Sequence, residues 1–161
     1  MLRETYKERI ADMQTFLPYE DFERSARVLD RARLGKQRIE TYQILLSLKK
    51  QRTGEKAGWE NHPAVKMWKG HERALCLYGI TMCKVWIERG YKDTTLPKIE
   101  ALMEYFPERS IESPWWLGDE RLHRSHRSKL IEKDFLYYTL PFIEDNAGED
   151  YFWPSQEASA S

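Results

Sequence analysis

The part of the sequence best suited to chemistry is a basic segment, residues 29–40, which ends in a single carboxylate, Glu40. Its cations are Arg31, Arg33, Lys36 and Arg38. At helical spacing Arg33 and Lys36 share a face with Glu40, because 3.6 residues per turn brings positions i, i+3 and i+7 together. Such cations can hold phosphodiester groups while the carboxylate does acid–base or electrostatic work on a sugar. A solvated helix with charge pairs one turn apart fits the same pattern, and the segment alone favours neither interpretation.

A second basic cluster is expected on a helix that begins after Asp119 and ends near Lys133. Its candidate residues are His123, Arg124, His126 and Arg127. The arginine fork binds phosphate with two parallel hydrogen bonds, so one interpretation is a clamp on a nucleic-acid backbone. An ordinary basic surface helix is the other. The two histidines, three positions apart, could share a metal ion, but no third ligand is indicated, and we predict no metal site.

Two further candidates stand beside helix breakers. His62 precedes Pro63, where a helix is expected to begin, so it could donate to a phosphate or cap the helix. Trp115 and Trp116 lie in a turn and could stack on an extruded base or cover the core. We favour the core for Trp115 and keep Trp116 and His62 as candidates to lie near an extruded nucleotide.

The elements that must position these residues are mainly helical. Helices are predicted over residues 21–30 and 31–50, separated near Gly35 or slightly earlier. A long helix from His62 to Gly90 has apolar residues around most of its circumference, which predicts a central buried helix. The residue before Pro18 is driven away from helix, so residues 14–19 are expected to be extended. We predict one mainly α domain over residues 13–154, an N-terminal extension over 1–12 and a disordered tail over 155–161.

Bulk properties narrow the class of protein. The chain has 161 residues and a net charge of +0, so overall charge argues neither for nor against nucleic acid. Two basic segments in a neutral chain can still form one positive face. Cys76 and Cys83 lie about 10 Å apart if helical, too far for a disulfide, which fits a reducing cytoplasmic setting. No glycine-rich phosphate loop or zinc cysteine framework is present, so we expect no cofactor.

Two stretches together resemble the pyrimidine-dimer DNA glycosylase family of the phage endonuclease V type. The first has the family's spacing of two leucines and a glutamate, Leu29-x4-Leu34-x5-Glu40. The second runs from His62 to Tyr91 and is similar to the family's central helix. The resemblance implies an endonuclease V-like helical fold, DNA as partner and a catalytic role for Glu40. An arginine adjoins the glutamate in that family, whereas this chain has Ile39 there and Arg38 as the nearest substitute.

A more extensive similarity is to an uncharacterised bacterial family that carries the same pyrimidine-dimer glycosylase label. It covers most of residues 13–154. The motifs that carry it are Gln14–Pro18, Leu34–Arg38, His62–Trp68, Pro114–Asp119 and His123–Arg127.

The chemistry that the glycosylase resemblance implies starts from the α-amine of a processed N-terminus. That amine attacks the sugar C1′, the base leaves, an imine forms and β-elimination cuts the strand. This sequence begins twelve residues before Met13, and Met13 is followed by Gln14 instead of a small residue. Three alternatives stay open: the amine of a chain that starts at Met13, the Lys36 amine made nucleophilic by its cationic neighbours, or water activated by Glu40.

The sequence therefore supports a DNA-binding, glycosylase-like enzyme that acts on a damaged or modified base of duplex DNA. In this hypothesis Glu40 is the catalytic carboxylate and the two basic clusters hold phosphates. A non-catalytic nucleic-acid-binding module on the same scaffold is the first alternative. An enzyme that acts on a small phosphorylated metabolite, bound by the cluster at residues 123–127, is the second.

Overall fold

A computed structural model describes residues 13–154 of the chain. This range contains helices and connecting turns, and no strand. The helices are α1 (Phe22–Val28), α2 (Arg31–Thr53), α3 (Pro63–Lys66), α4 (Glu72–Glu88), α5 (Leu96–Met103), α6 (Glu120–Lys133) and α7 (Phe135–Tyr138), with a 3-10 turn at Glu108–Ile111. The mainly α prediction is confirmed. The predicted extension over 1–12 and tail over 155–161 lie outside the described residues.

Helix α4 lies at the centre and packs against α1, α2, α5 and the 3-10 turn. Leu75, Tyr78 and Met82 are fully buried along it, so the predicted central buried helix is confirmed. The predicted single helix from His62 to Gly90 is wrong in its first part. Gly70 takes a left-handed conformation (φ 91°) and separates α3 from α4, because that conformation cannot continue a right-handed helix.

The crossing of α2 and α4 depends on two glycines that permit close approach. A Cβ on Gly79 of α4 would lie 2.7 Å from Cγ2 of Thr41 and 2.8 Å from Cδ1 of Ile99. A Cβ on Gly35 of α2 would lie 3.0 Å from the ring of Trp86. Gly35 is therefore a packing position inside α2, and the break between the first two helices lies slightly earlier in the chain, at residues 29–30.

Helix α2 begins at Arg31, and Asp30 is its N-cap residue. The Asp30 side chain accepts a hydrogen bond from the Arg33 backbone N–H at 3.4 Å. The whole basic segment that follows is therefore on one helix, and so is Glu40.

Cys76 and Cys83 are both buried and free, as expected. Burial raises the pKa of each thiol to about 12. Among the described helices, none is long and apolar enough to cross a membrane.

Candidate active site

Residues 13–18 form a non-helical segment that is buried along its whole length inside the helical fold. Buried backbone groups outside regular secondary structure need other hydrogen-bond partners. Side chains from α2 and α4 supply them at Phe16. Its N–H donates to Oε1 of Gln37 at 2.9 Å, and its carbonyl oxygen accepts from the hydroxyl of Tyr78 at 2.7 Å. The indole N–H of Trp68 donates to Oγ1 of Thr15 at 3.0 Å.

Two histidines of α6 hold the next residue of this segment, Leu17. Nδ1 of His126 accepts from the Leu17 N–H at 2.8 Å, and Nδ1 of His123 bonds the Leu17 carbonyl oxygen at 2.8 Å. Nε2 of His123 accepts from the Gly118 N–H at 2.9 Å, so Nδ1 carries the proton that Leu17 receives. Burial lowers the pKa of His126 to about 3, so its ring is neutral at physiological pH.

The same two histidines were predicted to contact nucleic acid, and their placement corrects that prediction. His126 is fully buried and His123 is 3% exposed. Both rings bond the backbone of Leu17, so both serve as internal supports for residues 13–18.

The arginines of α6 are also engaged within the protein. Arg127 contacts Glu120 and donates to Oδ2 of Asp145 at 3.0 Å and to the Pro18 carbonyl oxygen at 2.9 Å. Arg124 is exposed and pairs with Glu149 at 3.1 Å. Carboxylates therefore neutralise both predicted phosphate ligands, and Arg127 fixes the end of the buried segment.

Glu40 faces the start of this segment. Its Oε2 lies 3.4 Å from the Gln14 backbone nitrogen and 3.3 Å from Nε2 of Gln37, and both groups donate to it. Its Oε1 lies 3.5 Å from Nζ of Lys36. Burial raises the pKa of Glu40 above its ordinary value, although Lys36 and the donated hydrogen bonds oppose part of that rise. A buried carboxyl with a raised pKa, on a cavity, is a candidate for proton transfer.

The Glu40 carboxyl group borders an open cavity of 180 Å³. The cavity is lined by Phe16, Ala32, Arg33, Lys36, Gln37, Glu40 and Lys133. Three of these residues are cations and one is an acid. Pockets that enclose whole small ligands are usually about 300–1,000 Å³. The volume suits one part of a larger substrate, and the charge suits an anionic one.

A larger cavity of 410 Å³ lies beside His123. It is the candidate site for a phosphorylated metabolite, the second alternative function. Arg24 and Arg127 line it, but so do three carboxylates: Glu20, Asp21 and Glu120. Because these acids offset the cations, nothing favours an anionic ligand there. In the described part of the chain, no group of three or more histidine, cysteine, aspartate or glutamate side chains could hold a metal ion.

The remaining predicted site residues of the basic segment lie away from the cavity lining. Arg38 is half-buried, pairs with Asp93 and lies over the Trp86 ring at 4.3 Å from its centroid. Arg31 is exposed and lies 4.8 Å from the centroid of the Tyr91 ring. Only Arg33 and Lys36 of the four predicted cations therefore surround Glu40.

Trp116 and His62 have structural partners. Trp116 is 1% exposed, donates to the Met67 carbonyl oxygen at 3.2 Å and packs edge-on against Trp68. Its burial corrects the prediction that it lies near a nucleotide. Trp115, which was expected in the core, is 54% exposed, so that expectation is wrong. His62 caps α3 by accepting the Ala64 N–H at 2.9 Å.

Sequence reasoning missed three residues that build the site. Gln37 lies three positions before Glu40, a spacing that places both on one helix face and could have identified it. The Tyr78 hydroxyl also lies 2.7 Å from Oε1 of Gln37, so its single proton is shared between this oxygen and the Phe16 carbonyl oxygen, but no sequence signal connects α4 to α2 at this point. Lys133 reaches the cavity from the far end of α6.

Comparison with known proteins identifies a family for the chain. The family model described as pyrimidine dimer DNA glycosylase matches residues 13–98, just over half of the 161 residues. The match begins at the first residue of the buried segment and includes Glu40, Lys36 and Gln37. No curated protein and no solved structure matches the chain. By the family match, the chain belongs to the pyrimidine dimer DNA glycosylase family.

Proposed function

We propose that this protein is a DNA glycosylase that releases a damaged or modified base from duplex DNA, with Glu40 as its catalytic carboxylate. One observation carries the proposal. The buried Glu40 carboxylate lies beside the first residues of the segment at 13–18, which could supply an amine, and it borders a cavity lined with cations. Arg33, Lys36 and Lys133 surround Glu40 there. These cations would hold the phosphates on either side of the target sugar.

The position of Gln14 supports an amine nucleophile and a lyase activity. A peptide nitrogen is not nucleophilic, but the same atom would be an amine if Met13 were removed. In a chain that starts at Met13 the amine would belong to the adjacent residue, about 3.8 Å away from Cα to Cα. Either amine can attack the sugar C1′ while the bond from C1′ to the base breaks and its electron pair leaves with the base. Glu40 would stabilise the positive charge on the sugar and move the proton.

Lys36 is the competing nucleophile. Its side chain is 48% exposed, and its Nζ lies 3.5 Å from Oε1 of Glu40. Loss of a proton from the Lys36 ammonium group would give an amine on the same cavity. Water activated by Glu40 is the third route, and it would end at base release because no imine forms.

Borohydride trapping separates these routes. Duplex DNA with one abasic site is mixed with the chain that starts at Met1 or with the chain that starts at Met13, and borohydride is added. Hydride reduces an imine to a stable secondary amine, so a covalent complex shows that an amine reached C1′. Lys36→Arg keeps the charge and removes the amine. Adducts that persist in Lys36→Arg exclude the Lys36 amine, and peptide mapping then shows whether the bond is at the terminal amine or at Lys133, the other lysine of the cavity.

Glu40→Gln separates catalysis from binding. We expect base release and strand cleavage to fall by about 100-fold or more, because a positioned general acid–base contributes about 10²–10⁴ in rate. Binding to duplex DNA should persist or tighten, because a negative charge near phosphate is removed. A substrate cleaved at equal rates by both proteins would remove Glu40 from the mechanism. Binding without trapping or base release by any form would favour the non-catalytic module.

A further inference from the structure

An apolar ridge lies on the surface directly after α6. Its members, which we call the apolar ridge throughout, are Phe135 (62% exposed), Leu136 (91%), Leu140 (77%) and Ile143 (73%). The opposite side of the same turns is anchored in the core. There Tyr138 and Phe142 are buried, and their rings stack in parallel with centroids 5.5 Å apart.

The segment that carries the apolar ridge is connected to residues that line the Glu40 cavity. The hydroxyl of Tyr138 donates to the carboxylate of Asp30 and accepts from the Asp30 N–H at 2.9 Å. Asp30 is the N-cap of α2 and pairs with Arg33, which lines the cavity. Lys133, which also lines the cavity, is two residues from Phe135. The turns that carry the exposed side chains are therefore tied, through their buried side, to the helix that carries the cations around Glu40.

We infer that the apolar ridge is a wedge that enters the base stack of duplex DNA beside the nucleotide whose sugar lies at Glu40. This inference rests on the proposed function. Proteins that kink DNA insert phenylalanine, leucine or isoleucine between base steps, and enzymes that act on a base must first draw it out of the stack. Exposed apolar side chains next to cations match the two surfaces that duplex DNA offers together, its bases and its phosphates.

A second copy of the chain fits the apolar ridge less well. Stable protein interfaces use about 20–30 residues on each side, and the ridge has only four. A symmetric dimer through this face would also bring two sets of the cations Arg33, Lys36 and Lys133 towards each other. DNA phosphates would instead neutralise them.

The test uses Leu136→Ser combined with Leu140→Ser, which removes the most exposed part of the wedge without touching buried residues. Ile111→Ser is the matched control, because Ile111 is 49% exposed on the separate 3-10 turn. The probe is a duplex with a tetrahydrofuran abasic analogue next to 2-aminopurine, whose fluorescence rises when it unstacks. Affinity is measured for this duplex and for an undamaged duplex of the same sequence at one salt concentration.

We expect wild type and Ile111→Ser to prefer the abasic duplex and to raise the fluorescence. The double variant should lose about tenfold of that preference, in the range measured for lost base stacking, and most of the fluorescence rise. Its affinity for undamaged duplex should change less than about twofold. If the double variant keeps the wild-type preference and fluorescence rise, while wild type is trapped by borohydride, the wedge is overturned and the proposed function stays intact.

Two other results would also overturn the wedge. A wild type that neither binds the abasic duplex, nor is trapped, nor releases a base would remove the proposed function and the wedge together. A wild-type dimer in sedimentation that the double variant converts to a monomer would assign the apolar ridge to a second copy of the chain.

Discussion

The backbone nitrogen of Gln14 lies 3.4 Å from Oε2 of Glu40, although the two residues are 26 positions apart. This contact joins the buried segment at residues 13–18 to the basic face of α2. Gln37 bonds both sides of the junction, because it accepts from the Phe16 N–H and donates to Glu40. The geometry around the carboxylate therefore depends on how firmly the buried segment is held.

Glu40→Gln should stabilise the protein at neutral pH. The pKa of Glu40 is raised by burial, so the folded state binds this proton more tightly than the unfolded state. The free energy of unfolding of wild type therefore falls as pH rises from the unfolded pKa to the folded one. Glutamine does not ionise, so the advantage of the variant should grow with pH over that window and then level off. Urea unfolding at pH 4 and pH 8 measures it.

Glu104→Gln is the control for that comparison, because Glu104 is exposed. It should leave the pH dependence of wild type unchanged. A Glu40→Gln protein that is less stable than wild type at pH 8 would show that the ion pair with Lys36 outweighs the cost of burial.

Tyr78→Phe should destabilise the protein by about 1–3 kcal/mol, because the buried Phe16 carbonyl oxygen loses its donor. Tyr105→Phe, at an exposed ring, should change the free energy of unfolding by less than about 0.5 kcal/mol. If the buried segment positions the reacting amine, borohydride trapping by Tyr78→Phe should also be slower at a temperature where it is fully folded. Equal trapping rates would separate Tyr78 from the chemistry.

Contacts within one helix were accessible to sequence reasoning, and contacts between distant segments were not. The spacing of Lys36 and Glu40 predicts their pairing, since residues four apart on a helix are neighbours. The Leu17 N–H bonds His126 across 109 positions, and no local pattern specifies such a partner. Pro18 predicts that the segment before it is extended. Its burial could not be predicted, because that depends on which distant residues cover it.

In the basic helix α6, the pattern of charge alone led to the wrong prediction for the histidines. His123 and Arg127 look the same whether they bind phosphate or hold the chain. A further signal was present, because Leu122, His126 and Leu130 are spaced four apart and share a face. All three are fully buried. A histidine in line with leucines therefore indicated the core, whereas the arginines beside it indicated the surface.

His126 should make the free energy of unfolding fall as the pH becomes acidic. Its pKa is lowered from about 6.5 to about 3 by burial, so its contribution is complete above pH 6.5 and is lost as pH falls towards 3. Between pH 8 and pH 5 the loss is about 2 kcal/mol, from the proton that the unfolded state binds and the folded state does not. His126→Asn keeps an acceptor for Leu17 and cannot titrate, so unfolding free energies should show a smaller loss by that amount. His71→Asn should retain the wild-type loss.

Gly79→Ala tests the crossing of α2 and α4. A methyl group there would meet Thr41 at 2.7 Å and Ile99 at 2.8 Å. Overpacking of this kind costs about 1–3 kcal/mol, more than the roughly 1 kcal/mol that alanine gains over glycine in a helix. Thermal unfolding should show a lower midpoint for Gly79→Ala. Gly58→Ala has nothing within 4 Å of its new methyl group and should leave the midpoint within about 2 °C of wild type. If the two variants had equal midpoints, α2 and α4 would accommodate the methyl group at no cost, and their crossing would not depend on Gly79.

Lys133→Gln tests which basic residues meet the DNA backbone. Lys133 lines the Glu40 cavity, whereas Arg124 on the same helix pairs with Glu149. Each phosphate neutralised by a cation adds about 0.9 to the slope of log affinity against log salt. We expect Lys133→Gln to reduce that slope by about 1 for an undamaged duplex, since one such contact is lost. Arg124→Gln should leave it unchanged, because its charge is already neutralised by Glu149. The reverse pattern would place the DNA on the outer face of α6 and away from Glu40.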